Sequence, residues 1–217
     1  MNENKTLVAH DSIGSRGRID KRTAILEAAY RVFAREGYER TSVDDIAAEA
    51  GVAKPTIYNH FGGKEELFRQ VILDSALYTN AATIGAIETF PIRCTDLHRD
   101  FIDVGEKLVG CLQDPRTMTL QRLLWAEIAH FPDLFDAVRE QTARPIIEAL
   151  AGRLAILANA GYLDVPDPIR AANQFIALIS DELRTLTALG TKQVPIDIWR
   201  DSVGAGVETF LRAYAKR

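Results

Sequence analysis

Cysteine is scarce in this chain of 217 residues, with Cys94 and Cys111 as the only two. A pair of thiols cannot build a disulfide framework in a chain this long, and reduced thiols in a cytosolic protein are the plain reading. Long apolar runs are missing too. No stretch of 18 apolar residues occurs, so no membrane-spanning helix is expected. The N-terminal MNENKTLVAHDSIG has no apolar core, so no secretory signal is expected and the cytoplasm is the expected location. Sustained period-2 alternation with β-branched enrichment is absent, which argues against strands. There is no internal repeat and no low-complexity segment.

The residues of most catalytic sites are missing as well. His10, His60, His98 and His130 are scattered. Glu127-x-x-His130 has the i, i+3 spacing of carboxylate-bridged di-iron bundles, but such a site needs a second copy and two further glutamates. No second Glu-x-x-His exists. Gly62-Gly63-Lys64 lacks the spacing of a nucleotide phosphate loop, and no Cys/His pair suggests a nucleophile. Neither a metal, a cofactor nor an enzyme activity is expected. The two thiols leave a redox sensor as an alternative, because Arg93 beside Cys94 would lower its pKa.

What is present is an ordinary globular composition, 47% hydrophobic and 26% charged, with room for one large domain or two modest ones. The net charge of −4 is unevenly spread. Residues 1–70 hold 11 basic and 11 acidic side chains, and the other 147 residues hold 15 and 19. Residues 50–64 carry Lys54, His60 and Lys64 and no acid, and Arg16, Arg18, Lys21 and Arg22 form a second basic cluster. An acidic body with a locally basic head fits a specific DNA binder better than a general nucleic-acid coat.

Helical periodicity runs through the chain. Residues 1–19 read as a flexible basic arm. A helix follows over about 20–36, with the stripe Ile25, Ala28, Ala29, Val32 and Phe33, and Gly37 ends it. Ser42 caps the next helix, with Asp45 at capping-box spacing and Val43, Ile46, Ala47 and Ala50 on the apolar face. Gly51 supplies a left-handed turn. Lys54 and Pro55 open a second short helix that buries Ile57 and Phe61 and displays Lys54, Thr56, Tyr58, Asn59 and His60. Two short helices joined by a glycine turn, the second rich in donors, form a helix-turn-helix for the DNA major groove. A long helix over 64–87 follows, bearing Leu67, Val71, Ile72, Ala76 and Leu77. Further helices are expected over 95–112, 116–129, 132–160, 167–188 and 195–215, with Pro145 kinking or splitting the third of these. The fold class is all-α with about nine helices: a helix-turn-helix domain over 20–66 and a larger helical domain over 67–217.

These residues resemble the tetracycline-repressor (TetR) family of bacterial transcriptional regulators. The pattern is Ile25-x-x-Ala28-Ala29-x-x-Val32-Phe33, Gly37-Tyr38, Thr41-Ser42-Val43-x-x-Ile46-Ala47-x-x-Ala50-Gly51-Val52 and Lys54-x-Thr56-Ile57-Tyr58-x-His60-Phe61-x-x-Lys64-x-x-Leu67. Ala53 stands where the family more often has a capping Ser, and Pro55 where many members have Gly. The resemblance implies a DNA-binding head on a helical domain that binds a small ligand and dimerises, hence a repressor released by its effector. It places Thr56 and Tyr58 at phosphates and thymine methyls, and His60 and Lys64 at phosphates. On chemical grounds, Lys54 suits guanine, Asn59 adenine and Pro55 a thymine methyl, while Thr41 and Ser42 offer donors from the start of the preceding helix. Arg16 and Arg18 have two readings: insertion into a minor groove, or a plain arm.

The effector site should lie between helices of the second domain. Phe101, Leu123, Trp125, Phe131, Phe135 and Phe175 are candidates for its lining, although residues at helical spacing also serve as core. Their apolar character suggests a largely hydrophobic effector. Homodimerisation is expected through the C-terminal helices. The stripe Ile196, Trp199, Val203, Val207, Phe210 and Tyr214 is available for it, and Gly204 and Gly206 would admit a partner helix. The same head could serve an activator, since that depends on where the operator lies.

Overall fold

The computed structural model describes the backbone of residues 8–216 and the side chains of residues 21–216. Regular structure among these residues is helical: α1 (Val8–Glu36), α2 (Val43–Ala50), α3 (Lys54–Phe61), α4 (Lys64–Glu88), α5 (Leu97–Leu112), α6 (Pro115–Ala126), α7 (Pro132–Val138), α8 (Arg144–Asn159), α9 (Pro168–Leu186) and α10 (Ile196–Tyr214). A π-turn, Arg139–Ala143, joins α7 to α8 without a break, so the described residues form nine continuous helices. No helix among them is long and apolar enough to cross a membrane.

The chain divides into two compact units, Met1–Leu73 and Asp74–Arg217, with the division inside α4 and later than the 66/67 boundary read from the sequence. In the first unit the α1 stripe of Ile25, Ala28, Ala29, Val32 and Phe33 is fully buried. Ile46 of α2, Ile57 and Phe61 of α3, and Leu67 and Phe68 of α4 complete this core. Phe33 meets Phe68 edge-on at 5.1 Å. Helix α1 begins at Val8 and not near residue 20. Residues 8–19 hold no proline, and extending a nucleated helix costs far less than starting one. Arg16 and Arg18, the minor-groove candidates, lie outside the described side chains.

The second unit is built around an aromatic cluster. Phe101 packs against Phe90 at 4.7 Å, Phe175 at 5.4 Å and Phe210 at 5.5 Å, ringed by Val104, Leu108, Leu150, Leu154, Ile179 and Val203. Leu77, expected inside, is half exposed on α4. The helix bearing Pro145 is accommodated and not broken. Pro145 cannot donate to the carbonyl four residues back, and the chain widens one turn earlier, where Arg144 N–H bonds to Arg139 O. Asn80 Nδ2 takes up the Gln141 carbonyl at 3.5 Å.

The C-terminal helix corrects an expectation. Val203, Val207 and Phe210 are fully buried inside their own unit, while Ile196 is 60% exposed. Gly206 admits α9 of the same chain and not a partner helix, for a Cβ there would stand 2.4 Å from Leu178 O. Gly204 has open space around it. We therefore expect Gly206→Ala to cost about 1–3 kcal/mol, as overpacking does, seen as a lower urea midpoint at unchanged slope.

Candidate nucleic-acid interface

The site starts with how two eight-residue helices are held. Ser42 Oγ accepts from Asp45 N–H at 3.1 Å, and Ser42 N–H donates to Asp45 Oδ2 at 3.1 Å, the reciprocal box the spacing predicts. The Ser42 hydroxyl also donates to that carboxylate at 2.6 Å, and these bonds hold the Asp45 pKa below the ordinary carboxylate value. Gly51 ends α2 at φ 65°, and the turn brings α3 back across it. Ala53 gives α3 no side-chain cap, and Pro55 lies in its first turn, where a missing N–H leaves no helical bond unmade.

With Ile57 and Phe61 buried, geometry decides what α3 displays. Lys54, Pro55, Tyr58 and Asn59 are exposed, and Thr56 and His60 are half-buried. Tyr58 keeps 47% of its surface open. Six of the expected contact residues therefore share one short helix, four of them facing solvent. Ser42 is also exposed, though its donors are engaged in the box.

Three electrostatic details were not legible from spacing. Lys54 Nζ sits 2.8 Å from Asp44 Oδ2, and that bond raises the pKa of the ammonium. Both groups are largely exposed, and such a pair is weak enough to rearrange on a stronger partner. Lys64 turns inward, donating to Tyr38 O at 3.0 Å and Glu39 O at 3.4 Å. Thr41 does not fit its expected role. It is 3% exposed, its hydroxyl donates to Gly37 O at 2.7 Å and its N–H to Tyr38 O, so it has no donor to offer a phosphate.

This geometry has known counterparts. A family profile described as "Bacterial regulatory proteins, tetR family" matches residues 25–71, and one described as "AefR-like transcriptional repressor, C-terminal domain" matches residues 100–216. The chain belongs to the TetR family. It is similar to a probable HTH-type transcriptional regulator, ArpR, of Pseudomonas putida, at 33% identity over 157 residues, 67% of this chain and 71% of that protein. The crystal structure of a putative TetR-family regulator from Mesorhizobium loti superposes with a TM-score of 0.82 at 26% identity, covering 91% of this chain and 98% of that one. A flavonoid-responsive regulator, FrrA, does so with a TM-score of 0.70 at 28% identity, covering 91% and 98%. This TetR-family chain is a DNA-binding transcriptional regulator, not an enzyme.

In its second unit, the six expected pocket residues do not converge. Phe101 and Phe175 meet edge-on in the aromatic core, and Leu123 and Phe131 are buried. Phe135 is half-buried, and Trp125 is 53% exposed with Arg184 lying 5.5 Å over its ring. An open groove of about 520 Å³ lies instead between α4, α5 and the start of α6. Ala82, Gly85, Ala86 and Gly110 form its small, apolar part, and Tyr78, Thr79, Lys107, Cys111, Asp114 and Thr117 supply polar groups. Thr79 and Thr117 share a hydrogen bond at 3.2 Å. Spacing did not single out this groove: of the hydroxyls at Ser75, Thr79 and Thr83 on α4, only that of Thr79 lines it, and Ser75 and Thr83 are buried.

The thiols of this TetR-family regulator run against redox sensing. Burial and a hydrogen bond to Asp100 push the Cys94 pKa up to about 12, and Arg93 does not reverse this. Burial raises Cys111 as well. We expect native Cys94 to react with iodoacetamide at pH 8 roughly 100-fold more slowly than a free thiol, because the thiolate is the nucleophile. Peroxide treatment should leave DNA binding intact, in the wild type as in Cys94→Ser.

Proposed function

We propose that this regulator is a repressor that binds a palindromic operator as a homodimer in the cytoplasm and releases it when a small molecule occupies the second unit. The exposed face of α3 carries this reading. Lys54 and Asn59 present bidentate partners for guanine and adenine, and Pro55 a surface for a thymine methyl. Tyr58, Thr56 and His60 flank them as phosphate donors. The repressor description of the C-terminal profile supports repression over activation.

A two-fold assembly through α9 and α10 would place two such heads on half-sites about one helical turn apart, or a multiple of it. Val203, Val207 and Phe210 are committed to their own unit, so the apolar side chains left for a partner include Ile169, Leu178, Leu186, Ile196 and Ile198, all exposed. The effector site we assign to the α4–α5 groove, whose size suits a small ligand. Its small apolar floor and hydroxyl rim favour a flat, mostly apolar molecule carrying hydroxyl groups. The flavonoid response of FrrA supports that class. Helix α4 carries both Lys64 and the groove residues Tyr78 and Thr79, so a ligand favouring one disposition of α4 would shift the DNA-competent population.

Selection of bound duplexes from random DNA tests the reading. We expect a palindromic consensus from the wild type and none from Tyr58→Ala or Asn59→Ala, with sedimentation giving two chains per operator. No enrichment would remove the DNA-binding assignment for this head, and a monomer on DNA would remove the dimer. A flavonoid panel should release the selected duplex from the wild type but not from Gly110→Phe, which fills the groove.

A further inference from the structure

We infer that the effector of the α4–α5 groove is an acid, whose carboxylate pairs with Lys107 at one end of the groove while a hydroxyl at its other end meets Thr79 and Thr117. The inference deepens the assignment of the effector site to this groove and rests on it. Two contacts mark the ends. Lys107 Nζ of α5 donates to Thr89 Oγ1, just past the end of α4, at 2.9 Å. Thr79 of α4 shares its 3.2 Å hydrogen bond with Thr117 of α6. All four residues line the groove. From Thr79 to Thr89 the chain advances about 15 Å, at the rise of a helix. Apart from the Cys111 thiol, the lining between the ends is apolar: Ala82, Gly85, Ala86 and Gly110. A Cβ at Gly85 or Gly110 would meet no atom of the chain within 4 Å, so no packing in this unit requires either glycine. Glycine weakens a helix interior relative to alanine, and what it leaves here is width for a flat molecule.

Charge gives the ligand its direction. Lys107 is the one cation and Asp114 the one carboxylate of this lining among the described residues. Asp114 is committed to capping α6, where its Oδ1 accepts from Arg116 N–H at 2.9 Å and Thr117 N–H at 3.3 Å. It stands at the Thr117 end and repels a second carboxylate there. The guanidinium near that end, Arg116, faces Asp74 at 3.8 Å and lies 5.1 Å over the Tyr78 ring. Lys107 differs. Its ammonium has three donors, and it holds a neutral hydroxyl, with no carboxylate of the described residues paired to it. Thr89 Oγ1 donates its own proton to Ala86 O at 2.7 Å, so it serves Lys107 as an acceptor and keeps Nζ at the rim. Lys107 is exposed there, and water screens its charge. A ligand lying in the groove displaces water from one side of the pair and strengthens it.

The probe is a biphenyl with a hydroxyl at one end and a carboxylate at the other, compared with its primary amide, each titrated into the whole chain by calorimetry. We expect the wild type to bind the acid about tenfold more tightly than the amide, the scale of one charge-assisted hydrogen bond. Lys107→Met keeps the stem and removes the charge. It should weaken binding of the acid alone and so erase the preference, and Lys107→Arg should retain it. Gly110→Phe, which fills the groove, should abolish binding of both. Equal wild-type binding of acid and amide, a preference that survives in Lys107→Met, or a loss there shared by the amide would each overturn the inference while leaving the groove as the effector site. Binding that survives Gly110→Phe, or no binding of either compound to the wild type, would overturn the groove assignment and the inference with it.

Discussion

Neither helix of the DNA-reading head could persist alone. At eight residues each, α2 and α3 are well below the length at which an isolated helix survives in water. They exist because Ile46, Ile57 and Phe61 are buried against the α1 stripe and the start of α4. Each such side chain contributes about 1.5–3 kcal/mol on burial, and that sum outweighs the weak local propensity and the missing cap at Ala53. The division of labour follows. Since the inner side of α3 carries the folding energy, its outer side can hold polar residues chosen for DNA with little effect on stability.

Charge is arranged with similar economy. The local basic excess visible in the sequence is not a bare cationic patch. Lys54 faces Asp44, and Lys64 and Arg22 point at carbonyls, an amide and aromatic rings within the head. What remains outward on α3 is donor-rich and aromatic rather than strongly charged. A surface of that kind discriminates more by hydrogen bonding and shape than by counterion release, which suits a regulator whose net charge is −4.

The parts legible in the sequence rest on short-range rules. The capping box at Ser42 and Asp45, the turn at Gly51 and the buried i, i+4 pair Ile57 and Phe61 each depend on residues within a few positions of one another. Helix limits in the second unit were readable for the same reason, since Pro115, Pro132 and Pro168 begin helices wherever they fall. Tertiary partners were not readable. Nothing local separates Phe101 in a core from Phe101 in a pocket, or Gly206 against its own α9 from Gly206 against another subunit. Thr41 was unreadable for the same reason: it looks like a phosphate donor until Gly37 and Tyr38 come into reach.

The π-turn between α7 and α8 bears on how the second unit keeps its core in phase. Leu134, Val138, Thr142, Ile146, Leu150 and Leu154 recur every four residues, and all are buried or half-buried. An α-helix advances about 100° per residue, so a strict four-residue repeat drifts steadily around the rod and would leave the core within a few turns. One widened turn at Arg139–Ala143 resets that drift midway. Closing that turn into regular α-helix with all five residues kept would rotate everything after it by roughly 100° and swing Leu150 and Leu154 towards water. The irregular segment is therefore the reason one continuous rod can keep a single face inward along its whole length.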